Sequence, residues 1–221
     1  MLLLAACGAD EQDTLDVFAA SSLTDAFGAI ETAFEADHDV DVVLNVAASS
    51  ALREQILAGA PADVFASANR SNLDAVADGS QVFATNRLQL VVPAANPGGV
   101  DGIDDLARDD LLVGLCAVEV PCGELAHEAL DLAGVTASVD TEEPDVRSLL
   151  AKVVAGELDV GIVYATDVRS AGDAVRGIDL DVVASYPIAA LTDDEDAAAF
   201  VDFVLSEEGQ AILAEHGFGP R

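Results

Sequence analysis

The sequence predicts an α/β protein with mostly parallel sheets. Three observations carry this. Short runs rich in Val, Ile and Leu alternate with longer segments whose apolar residues recur at helical spacing. Apolar residues make up 52% of the 221, enough to bury a real core in one large or two small domains. No long Pro- or Ser-rich linker divides the chain, so two lobes would have to be joined by strands crossing between them, and residues 87–91 and 186–190 are placed to do so.

The elements follow in order. Residues 15–20 read as a buried strand, after which Leu23, Ala26, Phe27, Ile30, Ala33 and Phe34 mark one face of a helix. A Val-rich strand over 40–47 precedes a helix carrying Leu52 and Ile56, stopped at Gly59. Residues 63–67 form a short strand, and 87–93 another, ended by Pro93 and the loop Asn96-Pro97-Gly98-Gly99. The second half repeats the grammar. A strand over 111–116 leads to a helix over 123–133, with Leu125, Ala129 and Leu132 aligned and Gly134 behind it. Pro144 precedes a helix with Val146, Leu149, Leu150, Val153 and Val154 inward, ended by Gly156. Residues 159–165 form a strong buried strand, 181–191 are extended, and 197–214 are helical.

Charge excludes several functions. Forty-one acidic residues face 9 basic ones, a formal net charge of −32. Lys152 is the lone lysine and the arginines are scattered, so no face is basic enough for nucleic acid or for a polybasic hold on anionic lipid. With no Trp and 2 Tyr, an aromatic sugar platform is excluded as well. The acidity itself reads as a soluble, self-repelling surface. Asp37-x-Asp39-x-Asp41 lacks the Gly and Glu of a calcium loop, since Val42 and Ala48 stand there. No P-loop or nucleophile elbow is present, and His38, His127 and His216 lie far apart. No cofactor is expected.

In open parallel sheets, ligands bind beyond the carboxyl ends of strands, where helices begin. Those positions here hold Ser21-Ser22-Leu23-Thr24-Asp25, Ala48-Ser49-Ser50-Ala51-Leu52, Val120-Pro121-Cys122-Gly123, Pro144-Asp145-Val146-Arg147, and Tyr164 at the end of the strongest strand. They supply hydroxyls, a phenol and free N–H groups at helix starts, with almost no charge. Several such donors aimed at one point make a site for a compact anion. Taken singly, each Ser reads as an ordinary N-cap and Tyr164 as a core tyrosine with a satisfied hydroxyl.

Longer stretches add a resemblance. Val17-Phe18-Ala19-Ala20-Ser21-Ser22-Leu23-Thr24-Asp25-Ala26, Ser49-Ser50-Ala51-Leu52, Gly59-Ala60-Pro61-Ala62-Asp63-Val64-Phe65 and Gly161-Ile162-Val163-Tyr164-Ala165-Thr166-Asp167 resemble the molybdate-binding proteins of molybdate ABC importers, from about residue 15 to 218. The resemblance implies a two-lobed, type II periplasmic-binding-protein fold that holds molybdate, and tungstate with it, between its lobes and hands it to a membrane permease. It implies hydroxyl and backbone N–H from Ser22 and Ser49, backbone N–H from Cys122 and Val146, and the phenolic O–H of Tyr164. Cys122 departs from the Ala common there, which a backbone donor tolerates. Lobe I is expected over 15–88 and 189–221 and lobe II over 89–188, in a monomer that is not an enzyme. Rim carboxylates are expected to help it dock to the permease. The same fold with sulfate or phosphate, a serine hydrolase built on Ser22 or Ser49, and a structural surface lipoprotein stand as alternatives.

The first residues, Met1-Leu2-Leu3-Leu4-Ala5-Ala6-Cys7-Gly8, resemble the lipobox of bacterial lipoproteins without its basic leader. Cys7 would then carry lipid, residues 8–14 would be a polar tether, and the protein would sit outside the cytoplasm. An exported compartment permits a disulfide between the remaining pair, Cys116 and Cys122, closing a small loop; two buried thiols are the alternative.

Overall fold

The computed structural model describes residues 13–221; Cys7 and the expected tether up to residue 12 lie outside them. The strands are β1 (Asp13–Ala20), β2 (Val40–Ala47), β3 (Val64–Ala66), β4 (Gln81–Pro93), β5 (Val113–Cys116), β6 (Val139–Glu143), β7 (Val160–Tyr164) and β8 (Val175–Ala190). The helices are α1 (Thr24–Asp37), α2 (Ser49–Leu57), α3 (Arg70–Leu73), α4 (Pro121–Ala133), α5 (Val146–Val154), α6 (Ala165–Ala171), α7 (Glu195–Leu205) and α8 (Glu207–Glu215).

The strands form one mixed sheet in the order β2-β1-β3-β8-β4-β7-β5-β6. Each outer group is internally parallel: β1 pairs with β2 and β3, and β5 with β6 and β7. The centre is antiparallel, because β4 and β8 run past each other along most of their lengths. The far end of β8 pairs with β3 through Ala190, Ala189 and Ile188, while Leu88–Val91 of β4 pairs with β7. β8 therefore borders the first group and β4 the second, and their pairing with each other joins the two. The boundaries expected at 88/89 and 188/189 fall inside these two strands. Strands 87–93 and 181–191 were expected too short, since β4 begins at Gln81 and β8 at Val175.

Apolar periodicity placed most of the core. Phe27, Ile30 and Phe34 of α1 are fully buried. Phe34 meets Phe200 and Phe203 of α7 edge-on, and Phe27 meets Phe83 of β4 at 5.8 Å between ring centroids. On the other flank, Leu149 and Val153 of α5 are buried along with Val113, Leu115 and Ile162 of the sheet. Two assignments fail at helix edges: Leu132 and Val154 are 72% and 47% exposed. The helix expected over 197–214 is two helices. Ser206 adopts extended backbone and caps α8 by accepting from the Gly209 N–H at 3.2 Å, so its side chain starts a helix where apolar spacing alone shows no break. Gly134 ends α4 at φ 69°, a conformation that favours a residue without Cβ.

Candidate oxyanion site between the two strand groups

Five helix starts and strand ends meet where the two parallel groups face each other. Ser22 lies in the 3₁₀ turn Ser21–Leu23 that links β1 to α1. Ser49 opens α2 directly after β2. Cys122 is the second residue of α4, Val146 the first of α5, and Tyr164 the last of β7. All five are at least 96% buried, with relative exposures of 4%, 1%, 3%, 1% and 1%. They line one small cavity of about 10 Å³ together with Ser21, Ala48, Ala68 and Pro121. No charged side chain lines it.

The local chemistry leaves donors over. Neither serine is an N-cap: Ala20 and Ala48 occupy those positions and no side chain bonds there. The N-cap expectation is thereby corrected. Ser49 Oγ instead accepts the Ala68 N–H at 3.0 Å, and Ser22 Oγ pairs with the Tyr186 hydroxyl at 2.8 Å. Because Ser49 Oγ is used as an acceptor, its own proton remains for a ligand. At α5 the Asp145 carboxylate takes the N–H groups of Arg147 and Ser148, at 2.8 and 2.9 Å, and leaves that of Val146. At α4, Pro121 has no N–H to offer and Cys122 supplies the next one. The Tyr164 hydroxyl is buried without a partner, so the expectation of a satisfied core tyrosine fails.

Cys116 and Cys122 are joined by a disulfide that ties the end of β5 to the first turn of α4. Gly123 tightens the same turn. A Cβ there would stand 2.0 Å from the Ala117 carbonyl oxygen, so only hydrogen fits.

Arg147 sits at the rim rather than in the cavity. Its guanidinium reaches Asp25 Oδ2 at 2.5 Å and the Ser21 carbonyl at 3.3 Å on one side, and Ser170 Oγ at 2.9 Å on the other. It also lies 3.4 Å from Asp167 Oδ1. Asp167 is fully buried, and that burial raises its carboxyl to about 7 against the opposing pull of Arg147 and the Tyr164 N–H. Asn69 of the first group donates to Glu124 of the second at 2.6 Å. Sequence reasoning missed Tyr186, Asn86 and Thr166, the last two bonded at 2.8 Å beneath the site. The signal for Tyr186 was its rarity, one of 2 tyrosines.

The hydrolase alternative needs a histidine base. Neither Ser22 nor Ser49 pairs with one, and no His lines the cavity. Among the described residues no group of His, Cys, Asp and Glu could hold a metal ion, and no helix is long and apolar enough to cross a membrane.

Residues 15–219 match the family model of the bacterial extracellular solute-binding proteins. The chain belongs to that family. It is 37% identical over 216 residues to the molybdate-binding protein ModA of Mycobacterium tuberculosis, an alignment that covers 91% of this chain and 83% of the relative. The periplasmic molybdate-binding protein of Azotobacter vinelandii shares the fold, with a TM-score of 0.80 over 94% of this chain and 99% of that one at 19% identity. The sulfate-binding protein SubI of M. tuberculosis does so equally, at 0.82 over 94% and 87%, also at 19% identity. The fold is therefore that of a type II periplasmic binding protein, and fold alone does not choose the anion. Membership makes the protein an extracytoplasmic solute-binding protein, a transport component and not an enzyme.

Proposed function

We propose that this receptor captures molybdate, and tungstate with it, between the two strand groups acting as lobes, through Ser22, Ser49, Cys122, Val146 and Tyr164. One observation carries the reading: five residues from both groups line one cavity that has no charge and holds an unpartnered phenol. The ModA relative supports the choice of anion.

The physics suits a tetrahedral dianion, whose four oxygens only accept. About seven neutral donors, each worth ~1.5–3 kcal/mol against a charged acceptor, give roughly 10–20 kcal/mol gross. Desolvation and closure consume much of that and leave room for micromolar or tighter binding. Fixed donors select by oxygen spacing, so the larger oxometalates fit where sulfate and phosphate are too small. Closure is stabilised because Cys122, Val146 and Tyr164 reach the anion only when the lobes meet.

The receptor acts as a monomer, is anchored by lipid on Cys7, meets the membrane through that anchor alone, and delivers its anion to the permease with help from rim carboxylates. The lipobox-like start supports the anchor.

Titration calorimetry with molybdate, tungstate, sulfate and phosphate tests the function. Tight binding of the first two and weak binding of the others is expected. Preference for sulfate or phosphate would overturn the ligand assignment.

A further inference from the structure

We propose that Tyr186 is a positioning residue of this site, whose phenolic hydroxyl donates to Ser22 Oγ and so commits the Ser22 proton to the bound anion. The inference rests on the oxyanion reading above and names the residue that enforces, at Ser22, the preference of such a donor-only site for anions without a proton.

Tyr186 lies on β8 and is fully buried. Its ring meets Phe83, Tyr164 and Phe218 edge-on, at centroid distances of 6.3, 5.9 and 5.4 Å. Rings on several sides leave the side chain little freedom, and its hydroxyl is held 2.8 Å from Ser22 Oγ.

A bond between two hydroxyls can run either way, and the cavity decides the direction. If Ser22 donated to Tyr186, it would turn a lone pair toward the anion's oxygens, acceptor against acceptor. If Tyr186 donates, Ser22 keeps its own proton for the ligand and both bonds are satisfied. Burial holds the Tyr186 proton well above the ordinary phenol range, so Tyr186 remains a donor across neutral pH.

The consequence is chemical. With its hydroxyl held in this direction, Ser22 meets the ligand with hydrogen. A protonated oxyanion then sets a hydrogen against a hydrogen. Without the Tyr186 hydroxyl, Ser22 is free to rotate and accept, and the discrimination relaxes.

Selenate and arsenate test this, because both are larger than sulfate and phosphate, they are similar in size to each other, and at mildly alkaline pH they differ by one proton. Calorimetry on the wild-type protein is expected to show selenate bound more tightly than arsenate. Tyr186→Phe is expected to weaken molybdate and selenate by about tenfold, the equivalent of one charge-assisted hydrogen bond at the low end of its range. It is also expected to narrow the selenate-to-arsenate ratio. In a Ser22→Ala background, Tyr186→Phe should no longer change that ratio. Equal losses for both anions would mark a merely structural role and overturn the proposal, as would no loss at all. Should Tyr186→Phe fail to melt cooperatively, Ser22→Ala alone carries the test: it must narrow the same ratio, and an unchanged ratio refutes the proposal. Wild-type protein that binds none of these anions overturns the parent reading, a result distinct from normal molybdate binding with an unaltered ratio in the variants.

Discussion

Tyr164 shows at one residue how the site differs from the core around it. Its hydroxyl is buried and has no partner, an arrangement that costs free energy until an acceptor arrives. Tyr164→Phe is therefore expected to weaken molybdate binding by about ten- to a hundredfold by calorimetry, while the melting temperature of the unliganded variant stays equal or rises. A variant that melts lower with unchanged affinity would place the hydroxyl in the scaffold instead. Asp167 gives a pH signature. Burial raises its carboxyl from 3.8 to about 7, so between those values the folded protein holds a proton that the unfolded chain releases. Its contribution to stability is thus greatest at low pH, falls as pH rises toward 7, and levels off above. Denaturant titrations from pH 5 to 8 should show that decline in the wild-type protein and a shallower one in Asp167→Asn; parallel curves would refute it. At this scale strand ends and helix starts marked the segments where a ligand could sit, and the resemblance to molybdate-binding proteins, not position, singled out the five residues within them. Tyr186 was hidden, since no spacing in sequence connects it with Ser22, 164 positions away.

Among the elements, the first turn of α4 is the most constrained. The disulfide ties it to β5, and Gly123 lets it pass against the Ala117 carbonyl with no room for a methyl group. Gly123→Ala is expected to lower stability by ~1–3 kcal/mol, the usual cost of forcing atoms into filled space, and to displace the Cys122 N–H from the cavity. Chemical denaturation and calorimetry would both register it. Wild-type stability together with wild-type affinity would show that the turn adapts. Element identity was legible wherever apolar periodicity was strong, as in α1, α5 and β7. It failed where another force acts. The edge strand β6 is mostly exposed and acidic, so it has no apolar signature and is held by pairing with β5. The first part of β4, Gln81–Asn86, alternates weakly and is extended because β8 runs beside it.

The whole molecule presents a paradox of charge: an anion receptor that carries −32. Surface charge is screened beyond ~8–10 Å at physiological salt, and the cavity lining is neutral. The repulsion should therefore slow capture without weakening the complex. Stopped-flow association with molybdate is expected to speed up as salt is added, and rates that fall would contradict this. Charge reversal of carboxylates at the cleft rim is expected to reduce transport, whereas unchanged transport would remove them from permease docking. At this scale the linker-free sequence implied two lobes joined by strands. The central antiparallel pair of β4 and β8 was not legible, because pairing between strands so distant in sequence leaves no local pattern. The central claim is that neutral donors from both strand groups hold the oxometalate. A crystal structure with molybdate, its metal located by anomalous scattering, tests that most directly. The expected density lies among Ser22, Ser49, Cys122, Val146 and Tyr164 with no cationic side chain on its oxygens; density held instead against Arg147, or none between the two strand groups, would contradict it.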